Sequence, residues 1–212
     1  MKKTKVAVIG CGTIAKSQHV PNYAKNPLSE IKYLVDIIPE RAKELAEKYN
    51  VPYAITDYRE ILDDDEVTAV SVCTPNNSHA PITIDCLNAG KNVLCEKPAA
   101  VNFEQVKQMK EAADKNGKIL NIGVVNRFNT AVNKIKEMID NGELGKIYHI
   151  YCSFRAHRSI PGLGGQFTTK AISGGGVLID WGVHFLDLIF YCINSPKVLT
   201  VSGGINSELG KD

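Results

Sequence analysis

Asp180 and His184 close the run Gly174-Gly175-Gly176-Val177-Leu178-Ile179-Asp180-Trp181-Gly182-Val183-His184. On a helix, a spacing of four puts the carboxylate and the imidazole on one face. An imidazole titrates near neutrality, at an unperturbed pKa of about 6.5, so such a pair suits general acid–base chemistry. The same face continues through Asp187 and Tyr191, while the positions between are mostly apolar. Spacing alone therefore fits equally well a polar stripe turned to water. Lys97 is a second candidate. It follows a short apolar run, and Pro98 restricts it to extended backbone, which aims the ammonium rather than folding it into a helix. A lone Lys-Pro pair is also a common surface turn.

The third candidate is a backbone feature. Gly10-Cys11-Gly12-Thr13-Ile14-Ala15 matches the G-x-G-x-x-G/A dinucleotide fingerprint, directly after a strand and opening a helix. In that pattern the first glycine makes the tight turn and the second lets backbone approach a pyrophosphate. Ala15 is small enough for helix to pack on strand. The helix N-terminus adds unpaired N–H groups and a positive dipole end. Asp36 ends the next strand about 20 residues on, where this fold places the acid that binds the adenosine ribose hydroxyls. A carboxylate there repels a 2′-phosphate, and Ile37 and Ile38 bring no compensating cation. NAD is the expected cofactor; Arg41, within reach, leaves room for NADP. Gly10, Cys11, Gly12, Thr13 and Ile14, with Asp36, Ile37 and Arg41, make up this end of the predicted cofactor site.

These residues need a scaffold that brings strand ends together. Lys5–Ile9, Ile31–Asp36, Ala69–Cys73, Asn92–Cys95 and Lys118–Ile122 read as short strands, rich in Val, Ile or Leu and bounded by Gly, Pro, Asn or Asp. Helices are predicted over Pro39–Tyr49, with Pro in its opening turn, and over Phe103–Lys115, with Asn102 as N-cap. Continuously apolar strands alternating with helices imply a doubly wound parallel sheet covered on both faces. The pattern changes after Gly123. A helix is predicted from about Thr130 to Asn141, then a longer alternating strand over Lys146–Arg155. A glycine-punctuated loop (Pro161–Gly165), an apolar helix near Gly176–Ile193 and a strand at Lys197–Val201 complete the chain. The reading is a dinucleotide-binding Rossmann domain over 1–123 and an α+β domain with a mostly antiparallel sheet over 124–212. That second domain reads as incomplete.

Several motifs in order resemble the Gfo/Idh/MocA family, that of glucose–fructose oxidoreductase and the inositol dehydrogenases. They are Cys73-Thr74-Pro75-Asn76-Asn77-Ser78-His79, Ala89-Gly90-Lys91-Asn92-Val93-Leu94, Glu96-Lys97-Pro98 and the Gly174–His184 run. The resemblance implies a dehydrogenase or reductase of sugars, cyclitols or related polyols using NAD or NADP. It implies that Cys73, Thr74, Pro75, Asn76, His79, Glu96 and Lys97 line the cofactor path, in a loop after the Ala69–Cys73 strand and at the end of the next strand. His79 equally reads as a cap on the helix that follows. Lys97 is implied to touch both nicotinamide ribose and substrate hydroxyl, through a Lys97–Pro98 bond that is cis. Asp180 and His184 are implied to face the nicotinamide. Hydride leaving an alcohol carbon needs a base for the hydroxyl proton. His184 takes that proton, Asp180 orients the imidazole and Lys97 polarises the oxygen. Arg127, in a family-like Asn126-Arg127-Phe128 segment, either donates to substrate hydroxyls or pairs with a carboxylate. Family members often assemble through their antiparallel sheet, so a homo-oligomer is expected. Two other readings remain: a non-catalytic dinucleotide-binding regulator, and an NAD-dependent enzyme that cleaves glycosides.

Composition narrows the classes. The 212 residues carry a formal charge of +2, with 25 basic and 23 acidic side chains, too balanced for a nucleic-acid footprint. No uninterrupted apolar run approaches the ~18 residues of a membrane span, and the basic start is followed by too short an apolar stretch for a signal peptide. The six cysteines (Cys11, Cys73, Cys86, Cys95, Cys152, Cys192) are scattered with no C-x-x-C pair. That argues against a zinc site or a disulfide framework and for reduced thiols in a cytoplasmic protein.

Overall fold

The computed structural model describes residues 3–155 and 165–204. Strands β1 (Thr4–Ile9), β2 (Ser29–Val35), β3 (Tyr53–Ile55), β4 (Val67–Val72), β5 (Asn92–Cys95) and β6 (Leu120–Ile122) form one sheet in the order β3-β2-β1-β4-β5-β6. Every neighbouring pair is parallel. Successive side chains on a strand point to opposite faces, and β1 supplies both cores. Val6 and Val8 join Leu34, Ala42, Leu45 and Val20 on one side. Ala7 and Ile9 join Val70, Val72, Leu87 and Met109 on the other. The first core is roofed by helices α1 (Val20–Lys25) and α2 (Pro39–Tyr49), the second by α3 (Asn76–Asn88) and α4 (Phe103–Asn116). This is the predicted doubly wound sheet.

Local signals account for the helix ends. Pro39 opens α2, and Asn50, left-handed at φ 54°, ends it. The Asn102 side chain caps α4 by accepting from the Gln105 N–H at 2.9 Å, and Gly117 (φ 59°) stops it. The β4–α3 connection differs from expectation. Helix α3 begins at Asn76, right behind Pro75, so His79 lies inside it with only 1% of its surface exposed.

Beyond Gly123 the predicted helices form and the predicted strands do not. Helices α5 (Thr130–Asp140), α6 (Lys170–Ser173) and α7 (Val183–Cys192) are present, and α7 is preceded by a π-helical turn over Leu178–Gly182. Lys146–Arg155 and Lys197–Val201 are not in a ladder, and among the described residues no strand lies after β6. A β-strand needs a neighbour for its backbone bonds and its apolar face. Here Tyr148, Tyr151, Leu199 and Val201 remain largely exposed. The antiparallel sheet read from the alternation is thus not built by the described residues. Most of the loop expected at Pro161–Gly165 lies outside them.

The chain forms two compact units, Met1–Val124 with Phe154–His184, and Val125–Ser153 with Phe185–Asp212. The first unit therefore holds both the glycine turn and the Asp180–His184 segment. Lys170–Cys192 is long and apolar enough to cross a membrane by length and composition alone. Its acids, however, are engaged by protein: Asp180 by Lys97 and Asp187 by Arg127.

Candidate active site

The glycine turn sits where β1 meets β4, the point at which strand order reverses and doubly wound folds bind ligands. Its two glycines have different jobs. Gly10 adopts φ +90°, and a Cβ there would stand 2.6 Å from the Cys73 carbonyl oxygen and 2.9 Å from the Thr74 nitrogen. It is the residue that lets the two loops touch. A Cβ on Gly12 would meet nothing within 4 Å, so this backbone faces open space. Thr13 and Ile14 are exposed beside it. The Asp36 carboxylate is buried and anchored from both sides, accepting from the Cys11 N–H and the Ile38 N–H at 2.8 Å each. Ile37 is 85% exposed next to it, and Arg41 is on the surface one turn into α2. Burial pushes the Cys11 thiol up to about 12 and the Cys73 thiol well above its ordinary value, so neither is a thiolate nucleophile.

The cofactor helix carries a residue that motif reading passed over. Its Ala15–His19 segment is a π-helical turn, a wide turn that recurs at functional positions. The turn ends at His19, whose Nε2 lies 2.7 Å from Glu96 Oε1, with both side chains nearly buried. The other Glu96 oxygen accepts the Lys97 N–H at 3.1 Å. Burial works to raise the Glu96 carboxyl, but the His19 hydrogen bond, helped by Lys97, holds it below the ordinary range. Gly123 makes room for this carboxylate, since a Cβ there would stand 3.2 Å from it. The signal available in sequence was positional: a histidine on the helix opened by the glycine turn lies near the strand ends that carry Lys97.

His79 joins two loops. Its ring nitrogens lie 2.7 Å from the Pro98 carbonyl oxygen and 2.8 Å from that of Thr74, and burial lowers its pKa. It neither caps α3 nor opens onto solvent. Asn76 donates its side-chain N–H to the Ser173 carbonyl at 2.8 Å. The Thr74 hydroxyl is buried without a partner among the described residues. Beyond them the Lys97–Pro98 bond is cis. Lys97 donates its Nζ–H to Asp180 Oδ1 at 2.7 Å and to the Asp180 carbonyl at 2.9 Å.

Residues far apart in sequence therefore meet: Lys97 from the end of β5 and Asp180 one turn before His184. The Asp180 carboxylate is taken by the lysine, and His184 packs its ring 5.9 Å from that of Trp181. Farther along, Asp187 takes a two-pronged bond from Arg127, whose Nε donates at 2.7 Å, and Tyr191 donates to Asn133 at 2.9 Å. The polar stripe thus meets protein, not water. Of the two roles open to Arg127, the structure shows the ion pair. A dinucleotide fits the residues present. Open backbone at Gly12, an anchored acid at the end of β2 and an unpartnered buried hydroxyl at Thr74 are what its phosphates, ribose and polar edges need.

Comparison with known proteins agrees. Residues 4–124 match the model of an oxidoreductase family with an NAD-binding Rossmann fold, and residues 132–210 match the GFO/IDH/MocA C-terminal domain. The chain is 35% identical over 206 residues to D-glucoside 3-dehydrogenase of Escherichia coli, covering 97% of itself and 58% of that protein. It is 30% identical to myo-inositol 2-dehydrogenase of Thermotoga maritima, covering 98% of itself and 61% of that enzyme. Among solved structures, GenD2 from gentamicin A biosynthesis, in complex with NAD, superposes with a TM-score of 0.80 at 26% identity, covering 92% of this chain and 55% of that one. The chain spans somewhat over half the length of the relatives it matches. The two matches together span most of the chain, which is thus a member of the Gfo/Idh/MocA oxidoreductase family.

Proposed function

We propose that the protein is an NAD(P)-dependent oxidoreductase that moves a hydride between the nicotinamide and a hydroxyl- or keto-bearing carbon of a sugar, cyclitol or related polyol. The observation that carries this reading is the Lys97–Asp180 contact at 2.7 Å, one helical turn before His184 and in the same compact unit as the glycine turn. The nicotinamide, when bound, supplies the two-electron acceptor or donor. The chain's own residues do the rest. Lys97, cationic and held by Asp180, donates to the reacting oxygen and stabilises the negative charge that grows there. His184 takes the hydroxyl proton in oxidation and returns it in reduction. Asp180 holds the ammonium and stabilises the imidazolium formed one turn away. We assign Arg127 to holding α7 through Asp187 rather than to a substrate hydroxyl. Glu96, filled by His19 and the Lys97 N–H, positions the lysine turn from behind. The anchored Asp36 favours NAD over NADP by repelling a 2′-phosphate. A cytoplasmic location and assembly into a homo-oligomer belong to the same reading.

The test is turnover. The protein is mixed with NAD against a panel of sugars and cyclitols, and NADH formation is followed by absorbance, with NAD affinity measured separately. Lys97→Met is expected to abolish most turnover while NAD binding remains measurable. NAD binding with no turnover on any polyol supports a regulatory binding module instead. Unchanged turnover in Lys97→Met removes the lysine from the chemistry.

A further inference from the structure

A line of polar groups runs through the core beside α1. Ser71, on the central strand β4, is fully buried, with Ala69 and Cys73 as its neighbours on the same face. Its hydroxyl oxygen lies 2.7 Å from that of Tyr23 and 3.4 Å from His19 Nδ1. His19 Nε2 lies 2.7 Å from Glu96 Oε1, and the other Glu96 oxygen accepts the Lys97 N–H at 3.1 Å. Only 9% of the His19 side chain and 13% of that of Glu96 are exposed. Taking a carboxylate and its partner out of water is costly, and apolar residues of similar volume often serve a core as well or better. Stability alone is thus a poor reason for this line. Its far end, the backbone of Lys97, is a better one.

We infer that His19 is a positioning residue for the proposed hydride transfer, fixing Lys97 by holding the Glu96 carboxylate against the lysine's backbone N–H. This rests on the oxidoreductase reading above and adds a residue to it. A carboxylate only accepts, so the imidazole Nε2 donates. Burial works against the charge on Glu96, and the His19 bond, with help from Lys97, outweighs it. Lys97 is then held at both ends, its N–H by Glu96 and its ammonium by Asp180 Oδ1 at 2.7 Å. The helix delivers His19 through its wide turn, in which the Val20 N–H bonds back five residues to the Ala15 carbonyl. A residue taken into such a turn rotates later side chains by about 100° relative to a regular helix. Lys97 donates to an oxygen on which charge grows only as hydride leaves, so a small displacement of the lysine acts on kcat more than on substrate binding.

NAD reduction is followed on methyl glucopyranoside and on myo-inositol for the parent, His19→Met, His19→Gln, Glu96→Gln and the His19→Met/Glu96→Gln double variant, with thermal unfolding of each. His19→Met is expected to lower kcat about tenfold or more, the effect of losing one hydrogen bond to a charged group, with a smaller change in KM. A glutamine amide N–H stands as many bonds from the backbone as Nε2 does, so His19→Gln is expected to recover most of the loss. Because His19 acts through Glu96, adding His19→Met to Glu96→Gln is expected to lower kcat by less than about twofold further. An equal kcat in His19→Met, with only its melting temperature lowered, makes His19 a structural contact and overturns the inference. So does a loss that His19→Gln fails to recover, or one that recurs undiminished on Glu96→Gln. Should His19→Met not fold, a parent-like kcat in Glu96→Gln overturns it. Parent turnover in any of these cases leaves the oxidoreductase reading standing, whereas no turnover by the parent on any polyol of the wider panel removes both.

Discussion

Replacing Gly10 and Gly12 separately by alanine should divide the glycine turn into a folding half and a binding half. At Gly10 the new Cβ meets the Cys73 carbonyl oxygen at 2.6 Å, the carbonyl carbon at 2.7 Å and the Thr74 nitrogen at 2.9 Å, at a φ of +90°. All three are backbone atoms in the connection leaving a buried central strand, so none can swing aside. The left-handed backbone costs an L-residue about 1–2 kcal/mol, and forcing a methyl group into packed surroundings adds about 1–3 kcal/mol. The sum, about 2–5 kcal/mol, is a large share of the ~5–15 kcal/mol that holds a protein folded. It corresponds to a fall in melting temperature of roughly 5–20 °C for a chain of this size. At Gly12 the same methyl finds nothing within 4 Å. Stability should stay within about 0.5 kcal/mol or rise slightly, because alanine restricts the unfolded chain. NAD affinity should nevertheless fall about tenfold or more, since the methyl occupies the approach to the pyrophosphate. Urea unfolding followed by circular dichroism and NAD calorimetry on both variants decide the matter. A Gly10→Ala protein as stable as the parent, or a Gly12→Ala protein as damaged as Gly10→Ala, refutes the division of labour.

Two further outcomes follow from the ion pairs. Glu96 has its carboxyl held below the ordinary 4.5 by His19, against the opposing effect of burial. A depressed folded-state value contributes stability that is complete above about 4.5 and disappears as pH falls through the folded value. Glu96→Gln should therefore unfold with a shallower acid dependence below that pH, and an unchanged acid limb contradicts the assignment. The Arg127–Asp187 pair is two-pronged but its arginine is partly solvated, so a double-mutant cycle with alanine at both positions should give a coupling of about 1 kcal/mol. A coupling indistinguishable from zero in denaturant unfolding means that the arginine is free for another partner.

The sheet was legible because its central strands are buried on both faces. Lys5–Ile9 and Ala69–Cys73 read as nearly continuous apolar runs, broken only by Lys5 at one end and by Ser71, a pattern few other environments produce. β3 escaped notice for the opposite reason: Tyr53–Ile55 is a three-residue edge strand with Tyr53 half exposed. The start of helix α3 at Asn76 was hidden by Pro81 in its interior and by buried positions spread around it, which leave little amphipathic signal. After Gly123 the alternation of Lys146–Arg155 was real as a pattern, but a strand is a property of a pair. A periodicity of two states that one face is apolar and does not supply the neighbour.

The same distinction divides the site. The cofactor end is written in backbone: a tight turn, an open glycine, a helix end and an acid at a strand terminus, all local in sequence and each demanding a particular residue type. The proposed catalytic end is written in side chains that meet only after folding. Spacing could place Asp180 and His184 on one face but could not choose between water and a partner, because Lys97 lies on a strand end in a distant part of the chain. His19 shows how far that goes. Nothing near it in sequence marks it as special, yet a π-helical turn carries it to Glu96, and Glu96 holds the backbone N–H of Lys97. The helix opened by the glycine turn is thus tied, through His19 and Glu96, to the lysine turn. A perturbation of that helix should consequently be felt at the lysine turn through a chain of short contacts, with no rearrangement of the sheet.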